Sequence, residues 1–209
     1  MTEASKPAGL RERQRQAIRA DTRTAALELF EKRGFDDVSV AEIAAEAGIS
    51  ERTFFRHFPT KEDVVLTLLE SYGPDILSRL ETESLDKPWL EVLGDTYIGM
   101  AGVEVTMEGE FATELDRAIV QVFRLAQRST RLQAGIDARM RVWQDDIAQI
   151  VARRLGVDID ADPRPRIWGA VTIAVVTTNS ARRAALHGSV IGAPAEGWQA
   201  LTDLLQPPP

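Results

Sequence analysis

The 209-residue chain contains no cysteine, only two histidines and two tyrosines, and 6% aromatic residues. Without cysteine there are no disulfides, no thiol nucleophile and no thiolate-bound zinc or iron–sulfur centre. Two histidines far apart, His57 and His187, with no clustered acidic partners, give no metal-ligand spacing. No G-x-G-x-x-G or Walker loop precedes a helix, the serines lack a nearby histidine–acid pairing, and adjacent carboxylates such as Asp145 and Asp146 point in different helix directions. Neither a catalytic site, a metal nor a cofactor is therefore expected. The longest strongly apolar run, Ile167 to Val176, is too short to span a bilayer. Because MTEASKPAGLRERQRQ also lacks the apolar stretch of a signal peptide, a soluble, cytoplasmic protein without a membrane partner is expected.

A 44% hydrophobic content suffices for a substantial core. The net charge of −7 argues at first against a nucleic-acid partner, but its distribution is uneven. Up to Lys61 there are eleven basic against ten acidic side chains, and beyond it fourteen against twenty-two. Arg11, Arg13, Arg15, Arg19 and Arg23 form a basic run opposed only by Glu12 and Asp21. A DNA-reading head on an acidic body fits this asymmetry, and so does a plainly solvated helix.

Residues 39–58, SVAEIAAEAGISERTFFRHF, carry the strongest pattern. Ser39 with Glu42 makes a capping box, and Val40, Ile43, Ala44 and Ala47 supply an apolar stripe. Gly48 permits a tight turn, and Ser50 caps a second helix with polar Glu51, Arg52, Thr53, Arg56 and His57 beside packing residues Phe54, Phe55 and Phe58. This is a helix-turn-helix pattern, in which the second helix enters the major groove. Phe35, Val38, Val40, Ile43, Ala44, Ile49, Phe54 and Phe58 can form its core. Arg52 and Thr53 are candidate base readers, since arginine can grip guanine and the threonine methyl can pack on thymine. Arg56 and His57 can reach bases or backbone. Arg19, Arg23, Thr24, Ser39, Ser50 and Lys61 are candidate phosphate contacts.

The pattern is helical throughout, with no strand alternation. A first helix is expected to begin within Arg11–Ala20 and to run to Gly34, with Ile18, Ala25, Leu29 and Phe30 facing the core. Thr60 and Asp63 cap a fourth running to about Gly73, and further helices cover 75–84, 88–101, 109–127, 130–155, 163–187 and 195–205. The first ten residues and the terminal prolines read as tails. The expected architecture is all-α, with a DNA-binding domain over 11–73 and a larger helical ligand-binding and dimerisation domain over 74–206. Trp89, Tyr97, Met100, Met107, Phe111, Phe123, Trp143 and Trp168 can line an effector pocket, with Arg124, Thr177 and Asn179 as polar contacts. Core packing explains the large residues equally well. The stretch from Gly94 to Gly109 reads as a flexible portal or a plain turn.

AALELFEKRGFDDVSVAEIAAEAGISERTFFRHFPTKEDVV, residues 25–65, resembles the TetR/AcrR family of bacterial transcriptional regulators, most specifically in GISERTFFRHFPTKEDV. Phe55 stands where the family commonly has tyrosine, which removes one phosphate-reaching hydroxyl. The resemblance implies a homodimer binding a palindromic double-stranded operator. It also implies release by a small apolar or amphipathic effector, and dimerisation through the last two long helices, about Pro163–His187 and Ala195–Leu205. RLAQRSTRLQAGIDARMRVWQDDIAQIVARRLGVD resembles the mycofactocin-system regulator subgroup, in which some members respond to acyl-coenzyme A compounds. The leading expectation is a ligand-responsive repressor; an activator, or a regulator of both signs, would carry the same head. A helical ligand-binding or interaction protein that keeps the head as scaffold is the reading from another class.

Overall fold

A computed structural model describes residues 9–70, 73–82, 87–106 and 110–205, with side chains at all of these but 73–76, 98–106 and 110–113. The described residues form ten helices and no strand: α1 (Leu10–Arg33), α2 (Val40–Glu46), α3 (Glu51–His57), α4 (Asp63–Leu69), α5 (Gly73–Thr82), α6 (Trp89–Thr106), α7 (Glu110–Ala126), α8 (Thr130–Leu155), α9 (Arg164–His187) and α10 (Ala193–Leu205). The chain divides into two compact units after Val65, inside α4. The expected tails at 1–8 and 206–209 lie outside the described residues.

The first unit is a small aromatic core wrapped by α1, α2 and α3. Phe30, Phe35, Val38, Ile43, Phe54 and Phe58 are fully covered, as are Ala26 and Thr22 of α1, which the periodicity did not single out. Phe30 meets Phe35 at 4.9 Å between centroids, and Phe54 meets Phe58 at 5.5 Å. Each such ring contributes roughly 1.5–3 kcal/mol by leaving water. Ile18, Leu29, Val40 and Ile49 are half-buried at the rim. One residue departs from its expected role: Phe55 is 50% exposed and touches the core only edge-on, through Phe54.

In the second unit, α9 packs against α7, α8 and α10, while α6 packs on α10. Close approach depends on residues without side chains. A Cβ on Gly169 would lie 2.4 Å from the Gln144 carbonyl oxygen, so α9 and α8 meet almost backbone to backbone there. Tyr97 of α6 is fully buried and donates its hydroxyl to the Thr172 carbonyl at 3.0 Å. The Asp116 carboxylate on α7 accepts the Val190 amide at 2.8 Å and pins the turn before α10. Ser129 caps α8 by accepting the Leu132 amide, and Gly156 ends that helix in the left-handed conformation.

Two helix ends differ from the sequence reading by about a turn or more. Helix α4 stops at Leu69 rather than near Gly73, and α6 runs on to Thr106 instead of ending at 101. Up to Thr106, then, the glycine-punctuated stretch from Gly94 is helical rather than a turn; 107–109 lie outside the described residues. Gly94 is small because Trp198 of α10 lies against it, with ring atoms 3.0 Å from where a Cβ would sit. The glycine serves packing, not mobility.

Candidate nucleic-acid interface

Helix α3 has seven residues, too few to persist alone, so its ends and one face must be held by its surroundings. At its start the Ser50 hydroxyl accepts the Thr53 amide at 3.2 Å and lies 3.0 Å from the Thr53 hydroxyl. Phe54 and Phe58 anchor the inner face, and the Phe58 amide donates to the Phe54 carbonyl at 2.8 Å. The preceding turn passes through Gly48 at φ 66°, a conformation that side chains disfavour.

Helix α2 supports α3 from behind and is itself capped. Ser39 donates its amide to Glu42 at 2.8 Å, and the Glu42 amide returns a bond to the Ser39 hydroxyl at 3.2 Å. Arg33 adds a bond to the same carboxylate at 2.5 Å. The Ser39 amide, the Arg33 guanidinium and the Ser39 hydroxyl together hold the Glu42 carboxyl down at about 2.

The outward face of α3 presents Glu51, Arg52, Phe55 and Arg56, with Thr53 half-buried beside them. Arg52 precedes Phe55 and Arg56 by three and four residues, so all three share a face. The arrangement offers two guanidiniums and an aromatic edge to a groove, which suits guanine acceptors and thymine methyls. Sequence reasoning missed Phe55 because its residue type suggested core; its spacing from Arg52 was the available signal.

The structure directs several other sequence candidates inward. His57 is only 9% exposed, with its Nε2 buried and without a hydrogen-bond partner, so it does not stand on the reading face. Burial lowers the pKa of its imidazole, and Arg56, Arg19 and Arg15 push the same way. Arg19 donates to the His57 carbonyl at 3.0 Å and lies 4.8 Å over the Phe58 ring. The Lys61 ammonium donates to the carbonyls of Phe35 and Val38, each at 2.8 Å, and lies 4.4 Å over the Phe35 ring. Arg23 is half-buried, and burial, then repulsion from Arg19, lowers its pKa. Ser39 and Ser50 are exposed, with their hydroxyls bonded in the caps, and Thr24 is exposed.

In the second unit a cavity of about 290 Å³ opens between α7, α8 and α9. Phe123, Ile136, Met140 and Ile173 give it an apolar floor, and Gln133, Asp137, Arg141, Gln144, Thr177 and Thr178 supply polar groups. Of the candidates whose side chains are described, Phe123 and Thr177 line it. Tyr97 is a core residue whose hydroxyl is bonded to α9, and the Asn179 amide donates to the Ala193 carbonyl at 2.7 Å. Trp89, Trp143 and Trp168 are half-buried away from it, Trp89 beneath the Arg154 guanidinium, and Arg124 is exposed. Met100, Met107 and Phe111 lie outside the described side chains. No group of metal-ligating side chains occurs among the described residues, and no helix there is long and apolar enough to cross a membrane.

Comparison with known proteins places similarity in both units. Residues 23–68 match the family described as "Bacterial regulatory proteins, tetR family", and residues 104–191 match the "MftR C-terminal domain". The HTH-type transcriptional regulator TcmR of Streptomyces glaucescens is 33% identical over 167 residues, covering 80% of this chain and 73% of that protein. The mycofactocin biosynthesis regulator MftR of Mycobacterium tuberculosis is 28% identical, covering 72% of each. Among solved structures, the TetR-family repressor FadR of Thermus thermophilus, in complex with lauroyl-CoA, is similar with a TM-score of 0.51 and 22% identity, covering 91% of this chain and 96% of that one.

Proposed function

Because this chain belongs to the tetR family of bacterial regulatory proteins and is a DNA-binding regulator of transcription, we propose that it is a repressor that a small molecule releases from its operator. The observation that carries this reading is the doubly held α3, which presents Arg52, Phe55 and Arg56 outward, with Thr53 half-buried beside them, from a packed core. Arg52 reads a guanine, Thr53 and Phe55 pack on thymine methyls, and Arg56 reaches a base or a phosphate.

Two copies would align two such helices one DNA turn apart on a palindromic operator. Exposed apolar side chains support the dimer. Along α9, Ile167, Ala170, Ala174 and Ala185 are exposed at helical spacing, with Leu186 beside them and Arg182 interrupting the strip, and Leu204 and Leu205 are exposed on α10. Two α9–α10 pairs stacking on those faces form a four-helix interface.

The cavity between α7, α8 and α9 is the effector site in this reading. Its floor takes an apolar chain or ring and its rim a polar end; an acyl compound fits that description, in keeping with the lauroyl-CoA in the Thermus structure. A route to α4 is built in, since Arg139, next to the cavity-lining Met140 in α8 but not itself lining the cavity, forms an ion pair with Glu70 just after α4. Occupation that shifts α8 would pull on α4, within which the two units divide.

The test begins with selection of duplexes from a random pool by the full-length protein, followed by measurement of complex mass. Arg52→Ala should cost about 1–3 kcal/mol on the selected duplex and relax discrimination at one base pair, with folding intact. Failure of the protein to enrich any duplex at low salt would overturn the reading. Binding of one copy alone would overturn the dimer. Acyl compounds that never displace the selected DNA would overturn the effector class.

A further inference from the structure

Lys61 and Arg19 have the charge and the location of phosphate ligands, yet both direct that charge into the protein. The Lys61 ammonium meets three carbonyls of the segment joining α1 to α2, Phe35 and Val38 at 2.8 Å and Asp36 at 3.5 Å. An ammonium has three N–H groups, and these oxygens converge on them. Because they converge, the oxygens repel one another, and the cation is what allows the segment to fold tightly. The next residue is Ser39, the N-cap of α2, so Lys61 fixes where α2 begins.

Arg19 holds the opposite end of the motif. From the middle of α1 it donates to the carbonyl of His57, the last residue of α3, at 3.0 Å, and lies over the ring of Phe58, the C-cap. A helix C-terminus carries partial negative charge and unpaired carbonyls, so a guanidinium there satisfies both. One cation thus sets the start of α2 and the other the end of α3.

We propose that Lys61 and Arg19 are positioning residues that set the angle at which α3 presents its reading face, and that neither binds phosphate. This rests on the DNA-reading function proposed above. A phosphate ligand contributes to every duplex alike and adds to the salt dependence, whereas a positioning residue contributes only where base edges must be matched. Lysine and arginine are also not interchangeable at Lys61, because a planar guanidinium fork does not fit three converging carbonyls, though it would grip a phosphate well.

The full-length protein and its Lys61→Met, Lys61→Arg and Arg19→Gln variants would be titrated against the wild-type-selected duplex and a scrambled duplex of equal length, across a salt series. Hydrogen exchange of the DNA-free proteins would be followed over residues 34–58. All three variants should lose about tenfold on the selected duplex, the size of one lost base contact, with little change on the scrambled one. The slope of affinity against salt should stay at its wild-type value, and exchange should quicken in the α1–α2 segment for the Lys61 variants and in α3 for Arg19→Gln. A slope lowered by about 0.9 in Lys61→Met and restored in Lys61→Arg would make Lys61 a phosphate contact and overturn the proposal. Undiminished discrimination in the folded variants would overturn it too. Should Lys61→Met leave the head unfolded, Lys61→Arg carries the decision, since it keeps the charge. If the wild-type protein selects no duplex, the DNA-reading function fails first, and unchanged exchange in the variants would then overturn the positioning role separately.

Discussion

Gly169 tests how the second unit is held together. A Cβ at this position would lie 2.4 Å from the Gln144 carbonyl oxygen, 3.3 Å from Gln144 Cγ and 3.4 Å from the Ala148 methyl. A carbon–oxygen contact settles near 3.3 Å, so Gly169→Ala must part α8 from α9 by roughly 1 Å at their closest point. Since the obstructing atom is backbone, no rotamer change relieves it. Overpacking of this kind costs about 1–3 kcal/mol, and the rigid neighbour puts the substitution at the upper end. Against this, alanine improves helix propensity by about 1 kcal/mol. The net loss is then about 2 kcal/mol, and at roughly 2–4 °C per kcal/mol for a chain of this size the melting temperature should fall by about 4–8 °C. Far-UV circular dichroism of the full-length protein reads it directly. Ala138→Gly, exposed on α8 and outside both the cavity lining and the dimer face, should lose only the propensity term of about 1 kcal/mol. A Gly169→Ala protein that melts at or above the wild-type temperature would refute the claim that α8 and α9 touch at their backbones.

Burial lowers His57's imidazole pKa in the fold below its ordinary 6.5, so the neutral form stabilises the head fully above that pH, and this contribution is lost as pH falls through the folded-state pKa. Urea midpoints should therefore drop between pH 7.5 and 5.5 more in the wild type than in His57→Gln, and parallel profiles would remove His57 from the account. Tyr97→Phe deletes a buried bond to the Thr172 carbonyl and should cost about 1 kcal/mol without altering the fold, as denaturant titration would register. Ser50→Ala removes the N-cap of α3 and should cost a similar ~1 kcal/mol, with the loss of selected-duplex affinity exceeding the loss on a scrambled duplex. Arg139→Gln breaks the pair with Glu70 and should leave effector binding intact while reducing its coupling to DNA, typically about 1–3 kcal/mol, measured as the ratio of DNA affinities with and without effector.

Local chemistry made the helices legible, and its reach explains where the reading stopped. Ser39 with Glu42, Ser50, Thr60 with Asp63, and Gly48 all act within four residues of themselves, so sequence alone places α2, α3 and the start of α4. The roles of long side chains are decided elsewhere. Lys61 finds its carbonyls 23 to 26 residues away, and Arg19 finds His57 at a separation of 38, so no local pattern distinguishes a cation turned inward from one turned toward a phosphate. Residue type misled twice. Phe55 was assigned to packing because it is aromatic, and Tyr97 to the pocket because it is large, yet the first is half exposed and the second wholly enclosed. The cavity forms where α7, α8 and α9 diverge, a property of helix geometry that the choice of Ile136, Met140 and Ile173 does not announce.

The inward cations also change how affinity and specificity divide. If Lys61 and Arg19 stay bonded inside the head, as proposed, non-specific attraction rests on other basic side chains, among them the exposed Arg11, Arg13, Arg15, Arg52 and Arg56, and Arg15 already faces Glu12 at 3.6 Å. The chain as a whole carries a net charge of −7, which opposes non-specific attraction further. A protein that gains little from phosphates in general must gain most from the bases of one site. What selects that site is then the fixed angle of a seven-residue helix, so the side chains holding the angle govern specificity without touching the DNA.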